Sequence, residues 1–232
     1  MTGPSPTIWF CYHSGPDNYA YNMAMDHALL ENAALIGHPT LRFFSWTEPA
    51  ASFGYFQKIA EIERMTLLRP LVRRPTGGGL VPQDADWTYS VAVPPSDPWY
   101  ELKAVESYRS VHEWVCAAFA KMGVTTELAP SRRQSLPGQC FAGWEQFDVL
   151  WSGRKIAGAA QRRTRQGLLI QGSVQPPPLK LARADWESAM CDVAQSARGV
   201  QWRDFTPDEL LRERAEALAS GTYSRDTHNR KR

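Results

Sequence analysis

FDVLWSGRKIAGAAQRRTRQGLLIQGSV, residues Phe147–Val174, holds three apolar runs separated by short polar turns. The first run, Phe147–Trp151, meets Ser152-Gly153, a pair suited to a two-residue hairpin turn, and the second run, Arg154–Gln161, follows at once. The third run, Gly167–Val174, is stopped by Pro176-Pro177-Pro178. Hairpin-joined strands of this kind predict a mixed, largely antiparallel sheet flanked by helices rather than a doubly wound parallel one.

The flanking sequence supplies helices and further strands. Asp17-Asn18 can cap a helix through YAYNMAMDHALLENAAL that ends at Gly37. Ala104–Met122 places Val105, Tyr108, Val111, Val115, Phe119 and Met122 at three- and four-residue steps, an amphipathic helix closed by Gly123. Ile8–Tyr12, the alternating Thr40–Trp46, LVRRP at 71–75 and Trp87–Val93 read as strands. TPDE at Thr206–Glu209, with Thr206 as the cap and Pro207 at the first helical position, predicts a last helix through Ala219. Ser131–Cys140 has loop composition, and the polar tail 226–232 is expected to fray. With no repeat or linker, residues 1–232 are expected to form one α+β domain.

Composition narrows the function classes. A formal charge of +2 gives no argument for a nucleic-acid partner. Local clusters, Arg73-Arg74, Arg132-Arg133 and Arg162-Arg163-Thr164-Arg165, could give one face attraction for an anionic partner, but each cluster taken singly reads as solvated surface arginines. No signal peptide or membrane-length apolar run is present, so a cytoplasmic protein without a membrane partner is expected. Cys11, Cys116, Cys140 and Cys191 are widely spaced without a CxxC pair, which argues against a disulfide framework and against a zinc site. No metal ligand set is expected.

The glycine run in RRPTGGGLV, Arg73–Val81, is the main chemical signal upstream. A Walker loop needs Lys-Ser/Thr after its last glycine, and Leu80-Val81 stand there instead. A dinucleotide fingerprint needs a helix next, and LVPQDADWTYS is not helical. The run serves either as a tight turn between strands or as backbone that approaches a ligand closely with its N–H groups.

RRPTGGG followed by an Asp and TYS, the GRKIAGAAQRR…GLLIQGSV segment, NMAMDHALL and RFFSWTEPAASFGYFQ occur in an order that resembles the lipoate–protein ligase, octanoyltransferase and biotin–protein ligase superfamily. The resemblance runs from about Asn18 to Val174 and implies that superfamily's catalytic-domain fold. Cys140-Phe141, ahead of the hairpin, is similar to the Cys-Phe of ligase-like octanoyltransferases. Such enzymes move an octanoyl group from acyl carrier protein onto their own cysteine and then onto a lysine of a lipoyl domain, such as the glycine-cleavage H protein. No cofactor is then required. An ATP-dependent lipoate ligase acting through lipoyl-AMP, which needs ATP and Mg²⁺ and can call on a separate accessory protein, is the alternative. An amidotransferase between lipoyl domains and a non-catalytic acyl binder follow, with biotin ligation behind them. A monomer is expected.

The resemblance implies Cys140 as nucleophile and Lys155 as the group at the acyl carbonyl, either as a cation or as a base. It places Arg74, Thr76, Gly77, Gly78, Gly79, Tyr89, Gly158, Ala160 and Gln161 around the acyl pocket. Cys11, Cys116 and Cys191 read instead as small apolar fillers. The chain departs from the pattern at Gln83 and Gln171, where the family usually carries histidine. Glutamine hydrogen-bonds without titrating near neutral pH, so neither position supplies a histidine base. The short stretch after the last predicted helix has no room for the accessory domain of many lipoate ligases, which favours the transferase.

Overall fold

A computed structural model of the chain describes residues 7–134 and 143–231. In chain order the first elements are β1 (Thr7–Asp17), α1 (Tyr19–Ile36), β2 (Thr40–Trp46), β3 (Ala50–Phe53), α2 (Ile59–Met65) and β4 (Leu71–Arg73). Then come β5 (Val81–Gln83), β6 (Trp87–Val93), α3 (Pro98–Glu101), α4 (Ala104–Lys121) and β7 (Glu127–Leu128). The second half holds β8 (Val149–Trp151), β9 (Arg154–Thr164), β10 (Gly167–Val174), α5 (Arg183–Arg198) and β11 (Val200–Asp204). It closes with α6 (Glu209–Leu218), a π-helical turn at Ala219–Tyr223 and α7 (Asp226–Asn229).

Eight strands form one sheet in the order β11-β1-β2-β6-β10-β9-β8-β7, and β4-β3-β5 make a small second sheet. The β11–β1 and β1–β2 pairs are parallel, and the remaining pairs of the large sheet are antiparallel. The mixed α+β architecture expected from the sequence is therefore present. Ser152 (φ 48) and Gly153 (φ 71) turn the β8–β9 hairpin through two left-handed residues, as the Ser-Gly pair predicts.

Helices cover both faces, so alternate residues of the central strands enter different cores. On one side Leu41, Phe43, Val91, Leu168 and Ile170 pack with Trp114, Phe119 and Trp186 from α4 and α5. On the other, Phe44 and Ala92 pack with Met25 and Leu29 of α1 and Leu211 of α6. Asn18 caps α1 by accepting from the Ala20 and Tyr21 N–H groups at 3.0 Å, and Gly37 ends it at φ 74. No helix among the described residues is long and apolar enough to cross a membrane.

Several local expectations need correction. Asp208, not Thr206, caps α6, accepting from Leu211 N at 2.8 Å. The 226–231 segment is tied down rather than frayed. Arg73 donates to the carbonyls of His228, Asn229 and Lys231 at 2.6–3.1 Å, and to those of Tyr55 and Gln57 at 2.6 and 2.7 Å. Arg73 and Arg74 are consequently buried, not surface arginines. α5 and β11 had no counterpart in the sequence reading.

Candidate active site

A cavity of about 440 Å³ lies on the α1 side of the large sheet, under the small sheet and its glycine loop. Its floor follows from strand register. Phe44, Thr88, Ser173 and Gly158 stand directly opposite one another across β2, β6, β10 and β9, and all four line the cavity. The neighbouring row is Arg42, Ser90, Gln171 and Ala160. Directly opposed residues project to the same face, so these rows place polar groups from distant parts of the chain side by side.

Lys155 enters at the floor's edge. Its Nζ lies 2.7 Å from Asp148 Oδ2, and the carboxylate is fully buried. Asp148 also accepts from Tyr108 Oη at 2.5 Å and from Glu145 N at 2.8 Å, which fixes its orientation. Burial and the adjacent Asp148 push the Tyr108 phenol well up, so it donates as a neutral group. His112 packs edge-on against Tyr108 with ring centroids 4.3 Å apart, and burial lowers it to about 4, leaving a neutral imidazole. Gly158 leaves the space that Lys155 fills. A Cβ there would stand 2.8 Å from both Lys155 Cε and Nζ.

The roof is held by Arg74, which donates to the carbonyls of Gly77 and Gly79 at 2.9 and 2.8 Å and to Ser52 Oγ at 2.9 Å. Burial lowers Arg74 to about 10, and among the described residues no carboxylate pairs with it. Gly78 adopts φ +83 against Arg74 and Ala160, a conformation that disfavours a side chain.

The two glutamines act as connectors. Gln171 donates to Asp26 Oδ2 at 2.7 Å and accepts from Thr76 Oγ1 at 2.7 Å. Asp26 in turn accepts from Ser90 Oγ and pairs with Arg42 at 2.8 Å, with both ionic side chains fully buried. Gln83 donates to Ser52 Oγ at 2.8 Å. Asp86 is bonded to the floor, accepting from Ser173 Oγ at 2.8 Å and Thr88 Oγ1 at 2.9 Å. Burial raises Asp86 to about 6, against the pull of those two hydroxyls.

The predicted residues divide. Lys155, Arg74, Gly78, Gly79, Gly158 and Ala160 line the cavity. Thr76 and Gly77 stand behind it, engaged with Gln171 and Arg74. Tyr89 does not line it. Its ring passes under Gly172 to the opposite face and packs against Trp186, because β6 alternates and Thr88 takes the cavity side. Gln161 also points away, bonding Ala104 O and Ser107 Oγ of α4. Cys140 lies outside the described residues, while Gln134 and Gly143, at the borders of that gap, both line the cavity. Asp148, Asp86 and Ser173 were not expected from the sequence. Alternation from Gly158 to the opposed strand would have pointed to Ser173, but nothing local marks the two carboxylates.

Residues 18–175 match the family described as the lipoyl protein ligase A/B catalytic domain. The chain is 34% identical over 180 residues to octanoyltransferase LipM of Halalkalibacterium halodurans and 36% identical over 180 residues to LipM of Staphylococcus aureus. Each match covers 72% of this chain and 65% of the relative, so just under two thirds of those proteins is represented. Protein Ta0514 from T. acidophilum, solved with bound lipoic acid, superposes with a TM-score of 0.79 at 19% identity, covering 97% of this chain and 98% of that one. A lipoate-protein ligase A bound with ATP gives 0.77 at 18% identity, with the same coverage. At that identity the likeness is one of fold.

Proposed function

The chain belongs to the lipoyl protein ligase A/B catalytic-domain family, and from that premise we propose that it is an octanoyltransferase working through Cys140. An octanoyl group arrives as a thioester on acyl carrier protein. Thioester exchange places it on the Cys140 sulfur, and a lysine of a lipoyl domain then takes it as an amide. No ATP is consumed, because the acyl group arrives activated and amide formation from a thioester runs downhill.

The observation that carries this reading is the Lys155–Asp148 pair at 2.7 Å on the cavity wall. The buried carboxylate fixes the Lys155 side chain on the cavity wall, where it can face the oxygen of a bound acyl carbonyl as that oxygen gains charge. This supports the cationic role over the neutral base. The cavity suits a linear acyl chain, with Gly158, Ala160 and Met23 among its walls. The relatives' shared name, octanoyltransferase, supports the transferase over the ligase.

Incubation with octanoyl-loaded acyl carrier protein should add one octanoyl mass to the protein, mapped by peptide mass spectrometry to Cys140 and absent in Cys140→Ala. Transfer onto a lipoyl domain should proceed without ATP. AMP release from ATP and lipoate, with full activity in Cys140→Ala, would establish the ligase instead.

A further inference from the structure

Asp86 is a buried carboxylate without a cation. Among the described residues it forms no ion pair, and Arg183, whose charge acts on it only weakly, is engaged with Glu187 and the Phe44 carbonyl. Among the described residues its Oδ1 has no hydrogen-bond partner, and its Oδ2 takes both hydroxyl bonds. A site of this kind costs stability unless a positive group or a proton arrives to complete it.

Of the two hydroxyls on Asp86, Thr88 is buried and also accepts from Trp46 Nε1 at 2.9 Å. Ser173 is partly exposed and lines the cavity. With its proton committed to Asp86, the Ser173 oxygen has only acceptor capacity left to offer the cavity. Ser173 stands directly opposite Gly158, whose missing Cβ is the space Lys155 Nζ fills. Opposed Cβ positions lie about 5 Å apart, so the Ser173 side chain and the Lys155 ammonium share one face of β9 and β10, and both line the cavity.

We propose that Ser173, backed by Asp86, is the proton-accepting site for the primary amine of the acceptor lysine, opposite the Lys155 ammonium that faces the acyl oxygen. The proposal rests on the transferase reading and divides its two steps between two carboxylates. Asp148 already has its cation and holds Lys155. Asp86 has none among the described residues and can take a proton.

The acceptor ammonium gives one proton to Ser173 Oγ while Ser173 passes its own to Asp86 Oδ2. The freed nitrogen forms the C–N bond at the acyl carbon, and the C–S bond to Cys140 breaks. The remaining displaced N–H proton leaves with the sulfur as thiol. Amide, thiol and neutral carboxyl replace ammonium, thioester and carboxylate. Ser173 touches the amine and is the catalytic residue; Asp86 acts through it as a positioning and proton-storing residue. Burial sets Asp86 at about 6, which leaves it ionised at neutral pH yet able to accept the proton.

The test discharges preformed acyl-enzyme with two nucleophiles. Wild type, Ser173→Ala and Asp86→Asn are loaded from octanoyl-pantetheine, then mixed with either a lipoyl domain or hydroxylamine at mildly alkaline pH. Hydroxylamine is already neutral and needs no proton acceptor. Discharge by the lipoyl domain should fall about 100-fold in both variants, while discharge by hydroxylamine changes less than about threefold. Equal losses with both nucleophiles would make the pair structural and overturn the proposal, as would unchanged lipoyl-domain discharge. Variants that fail to load would place the pair in the first step and overturn it too. A wild-type protein that does not load at all refutes the transferase reading itself.

Discussion

Gly158 is set by its neighbour Lys155, which lies over its Cα where a Cβ would otherwise stand. The two contacts under 3.0 Å are the far end of the flexible Lys155 side chain, with Asp148 Oδ1 next at 3.0 Å, so Gly158→Ala should still fold while pushing the ammonium off Asp148. We expect a melting temperature close to wild type and a loss of about 100-fold in acyl transfer, since an ångström of misplacement at a reacting centre costs that much. Thermal melts beside turnover assays separate the two effects. Gly158 and Lys155 were both legible in GRKIAGAAQ, from the hairpin and the resemblance. Asp148 was not, because FDVL reads as one strand. Phe147 instead adopts φ 72, and the strand begins only at Val149, leaving Asp148 in the turn before it.

At the scale of elements, the row Arg42–Ser90–Gln171–Ala160 ties α1 to the sheet through Asp26. Arg42 also donates to Asn22 Oδ1 at 2.8 Å and stacks on Phe44 with its guanidinium 4.1 Å from the ring centroid. Asp26→Asn keeps the shape and removes the counter-charge from a fully buried guanidinium. It should destabilise the fold by about 3–5 kcal/mol, visible as a lowered urea midpoint. Gln171 connects this pair to Thr76, so the glycine loop is steadied by an amide that does not titrate near neutral pH. The departure from histidine, visible in the sequence as a lost base, is in the structure a polar strut. Strands β2, β6, β9 and β10 were legible from alternation, apolar runs and turn residues. α5 and β11 were not, because their burial depends on Trp186 and Trp202 finding partners elsewhere in the chain.

For the whole molecule, Arg73 is the latch between the chain's end and the segment that leads into the glycine loop. Its guanidinium satisfies five carbonyls, and Asn229 Oδ1 accepts from the Arg73 N–H at 2.9 Å. Arg73→Ala should lower stability by about 3 kcal/mol, since hydrogen bonds from a charged group carry more than neutral ones. Limited proteolysis should then cut within 224–231 sooner than in wild type. By itself the sequence determined the strands and turns of the hairpin unit, the caps of α1, the mixed sheet and the glycine loop. Each of these rests on a local period or a residue's own backbone preference. Only the tertiary structure decided that Arg73 faces inward, that Tyr89 leaves the cavity to Thr88, and that Asp148 has a cation while Asp86 has none among the described residues. Those outcomes depend on pairings such as Ser173 with Asp86, 87 residues apart, and side-chain partners that distant meet only once strand register is set.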